Sequence, residues 1–223
     1  MTETTRTLRL AHRGDWRRAL ENTIPALLAA MTIPGCDGVE FDVRRSADGV
    51  PILLHDRTLE RIQGRPERPE DLSARALEDL GVPALADVLA ALPRTAFLDV
   101  ELKDDPGPAV VEVLAAGRGP DLRRAVVSSF EPATLERVAG RAPRWPRWLN
   151  ARELGPSVIA TALELQCRAV AIEWHAIDAV GMARARAADL DVVAWTVRRR
   201  DTYGRLARLG VAGVCVEAAA LDG

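Results

Sequence analysis

His12 and His55 each stand where an apolar run ends, in LRLAHRG and in GVPILLHD, and the segment between them carries Glu40 and Asp42 in GVEFDVR. Imidazoles titrate near neutrality, and carboxylate oxygens suit a hard cation. Together these are the groups that metal-assisted cleavage of a phosphate ester requires.

Residues two apart on a strand share a face. Glu40 and Asp42 therefore lie opposite Val39, Phe41 and Val43, and in AFLDVELK the residues Asp99, Glu101 and Lys103 lie opposite Leu98, Val100 and Leu102. On an open sheet such charges would face water. In a closed barrel the aliphatic face meets the outer helices, so both charged faces turn inward near the mouth and three or four carboxylates converge. Unpaired buried carboxylates cost several kcal/mol each, so something positive must sit among them. A divalent cation with oxygen ligands, Mg²⁺ or Ca²⁺, fits. Arg13 follows His12, and a guanidinium can hold a phosphate by two parallel hydrogen bonds. Trp174 and Trp195 end predicted strands, where they can wall a pocket or cap the core. His175, in IEWHAID, has no carboxylate partner apparent in the local sequence and is read as structural.

The elements that must position these groups alternate. Strand-like runs fall near 7–12, 38–43, 50–55, 96–102, 125–129, 145–149, 168–173, 191–197 and 212–216, most of them separated by helix-like stretches rich in Ala, Leu, Arg and Glu. This is the pattern of a parallel sheet with helical crossovers. The exception is 38–43 followed by 50–55, whose connection contains Asp48-Gly49 and is too short for a parallel crossover, so that pair is expected to form an antiparallel hairpin. Counting the hairpin once leaves eight parallel strands, the number that closes a TIM-type (β/α)8 barrel. Only seven residues follow Val216, so the last outer helix is expected to be short or missing. The expectation is one α/β barrel domain over 1–223, with a short insertion at about 57–81 overhanging the mouth.

Composition narrows the function classes. The chain has 223 residues, with 30 basic against 32 acidic and a formal net charge of -2, which gives no sign of a general polyanion binder. Cys36, Cys167 and Cys215 have no metal-type spacing, and no secretory or membrane-spanning stretch is visible, so a cytoplasmic chain with reduced thiols and no membrane anchor is expected. No P-loop, HExxH, paired CxxC or G-x-S-x-G pattern is present. Oligomeric state has no signature in this sequence.

Across nearly its whole length the chain resembles the glycerophosphodiester phosphodiesterase family. The matching pieces are HRG at 12–14, ENT at 21–23, VEFDV at 39–43, ADGVPILLHD at 47–56, TLER at 58–61, VPALADVL at 82–89, DVELK at 99–103, SSF at 128–130 and AWTV at 194–197, in that order. The resemblance implies a TIM barrel that hydrolyses glycerophosphodiesters to glycerol 3-phosphate and an alcohol with one divalent cation. It implies Glu40, Asp42 and Glu101 as metal ligands, His12 and His55 as general acid and base, and Arg13 and Lys103 as phosphate-holding groups. Trp195 is the expected pocket residue. The chain departs from the family after TLER, where Ile62-Gln63 replaces paired threonines, and after the last strand, where Val216-Glu217 replaces a Thr-Asp pair. These departures bear on substrate preference. The alternatives are a lysophospholipase D or phospholipase C-like phosphodiesterase on the same barrel, or a non-catalytic module that binds a phosphate metabolite.

Overall fold

The computed structural model describes residues 6–105 and 107–223, so the first five residues of the expected 1–223 span lie outside it. Nine strands form one sheet: β1 (Leu8–His12), β2 (Gly38–Arg45), β3 (Pro51–Leu53), β4 (Phe97–Leu102), β5 (Ala125–Ser129), β6 (Arg147–Ala151), β7 (Ala169–Glu173), β8 (Asp191–Val197) and β9 (Gly213–Val216). Neighbours run β1-β9-β8-β7-β6-β5-β4-β2 in parallel, and pairing of β1 with β2 closes the ring. This is the eight-stranded barrel that the alternation predicts. The ninth strand, β3, pairs antiparallel with the end of β2, through Val43↔Leu53 and Arg45↔Pro51, as the Asp48-Gly49 turn requires.

Helices α1 (Ile24–Met31), α2 (Glu60–Gln63), α3 (Ala74–Asp79), α4 (Leu85–Ala91), α5 (Ala109–Arg118), α6 (Pro132–Arg141), α7 (Pro156–Glu164), α8 (Ala179–Ala187) and α9 (Arg200–Leu209) occupy the connections. Several carry ordinary start signals. Thr23, Ser73 and Asp178 cap α1, α3 and α8 with side-chain oxygens, and proline opens α6 and α7. After β9 the described residues continue through a short 3-10 turn, Ala218–Ala220.

Strand parity divides the core in two. Val39, Phe41, Val43, Leu98, Val100 and Leu102 face outward and pack with Leu27, Leu85, Val88 and Leu114 of the helices. Phe41 is fully buried there, and truncating it to Ala would cost about 3–5 kcal/mol. The opposite parity faces inward, where Leu10, Val126, Trp148, Ala169, Ala171, Val193 and Cys215 fill the barrel. Phe97 and Trp148 stack there with ring centroids 5.8 Å apart. Beside them β2 and β4 approach so closely that a Cβ on Gly38 would lie 1.9 Å from the Phe97 carbonyl oxygen, so only glycine fits. A third cluster, Ile52, Leu54, Leu59, Leu77 and Val82, joins β3 to the stretch that follows it. Among the described residues no helix is long and apolar enough to cross a membrane, and the three cysteines are unpaired.

Candidate active site

Above the apolar interior the same inward parity turns polar. Register aligns His12 with Glu40 and Glu40 with Asp99, and one step higher Asp42 with Glu101 and Glu101 with Ser128. The charged faces of β2 and β4 thus share one level at the C-terminal ends of the strands. A cavity of about 200 Å³ opens there, lined in part by His12, Arg13, Glu40, His55, Glu101, Lys103 and Trp195. Of the residues expected to hold metal, phosphate or proton, all line this cavity except Asp42, which is fully buried against Arg13 and Lys103.

Oxygens of Glu40, Asp42 and Glu101 lie within 4.8 Å of one another. Burial, then repulsion from Asp42, Glu101 and Asp99, pushes Glu40 well above the usual carboxylate range. Burial pushes Glu101 up as well, reinforced by Asp42. Asp99, burial again the main cause, rises to about 7 despite the hydrogen bond it accepts from Ser128 Oγ at 2.6 Å. Asp42 goes the other way: burial opposes its charge, but Lys103 and Arg13 outweigh burial and hold it well below the usual range. Lys103 Nζ is 2.9 Å from Asp42 Oδ1 and also contacts Glu101, while Arg13 Nε is 3.1 Å from Asp42 Oδ2. These two cations do not balance four buried carboxylates, and Glu40 Oε1 is buried with no hydrogen-bond partner among the described residues. An all-oxygen donor set with an orphaned oxygen aimed into it fits a hard divalent cation.

Each histidine has one ring nitrogen tethered. His12 Nδ1 is 2.6 Å from Glu217 Oε1, and Arg198 Nε donates to the other Glu217 oxygen at 2.8 Å. His55 Nδ1 is 2.6 Å from Asp56 Oδ1. From Asp56 the contacts continue outward: Arg61 donates to Asp56, and then through two nitrogens to Glu21 at 2.6 and 2.9 Å. Glu21 accepts in turn from Arg13 Nη1 at 2.9 Å. Arg44 holds the backbone of His55, donating from Nε and Nη2 to its carbonyl at 3.1 and 2.9 Å. With both Nδ1 atoms engaged, Nε2 is the ring nitrogen that each imidazole has left to offer.

The loop after β1 aims these groups. Arg13 and Gly14 have φ of 58° and 85°, and a Cβ on Gly14 would lie 2.6 Å from the Ala26 backbone. That glycine lets the turn fold onto α1 and directs Arg13 back over the barrel mouth. Asn22 lies beside it, where its Nδ2 donates to Asp42 Oδ2 at 2.8 Å and its Oδ1 accepts from the Asp42 backbone at 3.2 Å.

Several of these partners are missed by sequence reasoning. Glu217 stands out only as a departure from a family pattern, and Asn22, Glu21, Arg44 and Arg61 have no role assigned. The signal available was position, since Glu217 directly follows a barrel strand. His175 needs a correction, for it does have a carboxylate partner: Glu173 Oε1 is 2.8 Å from its Nδ1. The side chain is 68 % exposed and does not line the cavity. Trp195 does line the cavity, edge-on to Phe130 at 5.4 Å with Nε1 donating to the Ala171 carbonyl, whereas Trp174 packs against the outer core.

Carboxylates, imidazoles and cations at the C-terminal mouth of a closed parallel barrel make this chain a TIM-barrel enzyme. It belongs to the glycerophosphoryl diester phosphodiesterase family, whose sequence profile matches residues 12–221. A curated relative, the glycerophosphodiester phosphodiesterase of Caldanaerobacter subterraneus subsp. tengcongensis, is 25 % identical, covering 95 % of this chain and 94 % of the relative. Among solved structures, an Oleispira antarctica phosphodiesterase in complex with the product sn-glycerol-3-phosphate superposes with a TM-score of 0.85 at 25 % identity, over 95 % of this chain and 93 % of that one. A glycerophosphodiester phosphodiesterase from Thermotoga maritima has the same fold, with a TM-score of 0.82 at 21 % identity over 97 % and 96 %.

Proposed function

We propose that this chain hydrolyses glycerophosphodiesters to glycerol 3-phosphate and an alcohol, with one divalent cation and two histidines as acid and base. The observation that carries this reading is the pair of carboxylate-tethered imidazoles, His12 on Glu217 and His55 on Asp56, at one cavity with the Glu40, Asp42 and Glu101 oxygens.

In this account Glu40, Asp42 and Glu101 hold Mg²⁺ or Ca²⁺, which when bound supplies positive charge against the phosphoryl oxygens. Arg13 and Lys103, both at the cavity wall, add further positive charge toward the phosphate. One imidazole takes the proton from the attacking hydroxyl through Nε2. As the phosphorus–oxygen bond to the leaving alcohol breaks, the other imidazole delivers a proton to that oxygen. Glu217 and Asp56 fix the tautomers and stabilise the imidazolium formed in either half of the exchange. The attacking hydroxyl belongs to water, or to the substrate's own glycerol with a cyclic phosphate between.

Enzyme-coupled detection of glycerol 3-phosphate, run on wild type, His12→Ala and His55→Ala, tests the chemistry. Each variant should lose at least about 100-fold in turnover, the scale of a positioned acid or base. Full activity in both variants would rule out the paired-histidine mechanism.

A further inference from the structure

The far side of the cavity holds polar groups to which the proposed mechanism gives no work. Strand β6 sends Trp148 and Asn150 to one face by parity, with Trp148 in the barrel interior stacked on Phe97, and Arg152, just past the strand end, also lines the cavity. Asn150 stands above it, 7 % exposed, at the wall of the cavity. Among the described residues its buried Oδ1 has no hydrogen-bond partner. Arg152 stands at the rim, exposed, with no carboxylate in ion-pair range among the described residues. A buried amide without a partner is unfavourable unless something else fills the role, so the position suits a ligand.

Where this wall sits decides which part of a substrate it meets. Around the ring β6 lies opposite β1, the strand that carries His12, while the acidic residues lining the cavity, Glu40, Asp99 and Glu101, are all on β2 and β4. A phosphorus held between the histidines and those carboxylates leaves the remainder of the diester to cross toward β6. The lining contributed from β5 through β9 includes Phe130, Asn150, Arg152, Ala171 and Trp195 and has no carboxylate. A quaternary ammonium brought there would meet an unpaired guanidinium, whereas a carboxylate or phosphate would be attracted by it and could accept from the Asn150 amide.

We infer that Asn150 and Arg152 form a subsite for the leaving alcohol that selects alcohols bearing a negatively charged group over those bearing a quaternary ammonium. This rests on the hydrolase reading above and adds the substrate class to it. The β6 wall is then what sets headgroup preference in this chain.

The test measures kcat/KM for four glycerophosphodiesters: glycerophosphoserine, which offers a carboxylate; glycerophosphoinositol 4-phosphate, which offers a phosphate; glycerophosphoglycerol, whose leaving alcohol is uncharged; and glycerophosphocholine. Wild type should favour at least one anionic ester over the choline ester by about tenfold, the scale of one charge-assisted hydrogen bond. The ester that shows the preference tells carboxylate from phosphate. Arg152→Glu should invert the ratio, and Asn150→Ala should reduce it with most of the change in KM. A wild-type ratio near one, or a ratio that Arg152→Glu does not move, would overturn the subsite while glycerol 3-phosphate release left the hydrolase reading standing. If no ester is cleaved, the hydrolase reading fails, and calorimetric titration with glycerophosphoinositol 4-phosphate decides the subsite by itself. A Kd raised about tenfold in Arg152→Glu would support it, and an unchanged Kd would overturn it.

Discussion

Glu217 Oε1 lies 2.6 Å from His12 Nδ1, joining the residue after the last barrel strand to the end of the first. The contact exists because β9 pairs with β1 to close the ring, with Ala11 opposite Val216. Arg198 holds the other Glu217 oxygen, so the carboxylate is fixed at both ends. Glu217→Ala should lower kcat by roughly 10- to 100-fold, the usual effect of removing the group that orients a working imidazole. Glu217→Asp should recover part of the loss. A kcat at the wild-type level in Glu217→Ala would mean that His12 needs no such support.

The other histidine depends on a longer chain of contacts, from Asp56 through Arg61 to Glu21 and Arg13. Arg61→Ala and Glu21→Ala should each lower kcat/KM, and the double variant should lose less than the two single effects combined. Coupling of about 0.5–3 kcal/mol is typical for residues in one network. Strict additivity in the cycle would show that the two act separately.

Glu217 also sets an acid limit. Burial alone would raise its carboxyl, but the hydrogen bonds to His12 and Arg198 outweigh burial and hold it at about 2, against an ordinary 4.5. A depressed carboxyl stabilises the folded chain fully above its ordinary value and loses that contribution as pH falls through the folded value. Between pH 4.5 and 2 the melting midpoint of the metal-free protein should therefore drop further in wild type than in Glu217→Gln. Parallel decline in the two would contradict the linkage.

The carboxylate group predicts opposite effects on stability and on metal binding. With no cation bound, Glu40 is buried among Asp42, Asp99 and Glu101 with an unpartnered oxygen. Glu40→Gln relieves that repulsion, so in chelator its melting midpoint should exceed that of wild type, by about 2–4 °C for each kcal/mol relieved in a chain of this size. Mg²⁺ or Ca²⁺ should raise the wild-type midpoint and have little effect on Glu40→Gln. An equal rise in both would place the cation elsewhere.

How far the sequence reveals this site follows from which contacts are local. VEFDV and DVELK disclose their inward faces because alternation is a property of a single strand, and the Asp48-Gly49 turn discloses the hairpin. Glu217 and Asn22 act through loops brought together by ring closure, which no local pattern records. The β6 wall is missed for a more specific reason. The apolar run suggests a strand at 145–149, whereas the observed strand is Arg147–Ala151. Trp145 lies in the outer core with its indole donating to the Pro120 carbonyl, and the Arg147 guanidinium, also outward and fully buried, donates to the carbonyls of Pro143 and Trp145. A buried charge on the apolar face hides the alternation, and with it the inward pair Trp148 and Asn150 and the Arg152 that follows the strand.

The most direct measurement of the central claim is glycerol 3-phosphate release from a glycerophosphodiester by enzyme stripped of metal and then given Mg²⁺ or Ca²⁺. Release should stop on chelation and return with one of the two ions, and Glu101→Ala should not recover. Undiminished release from protein verified to be free of metal would contradict the account.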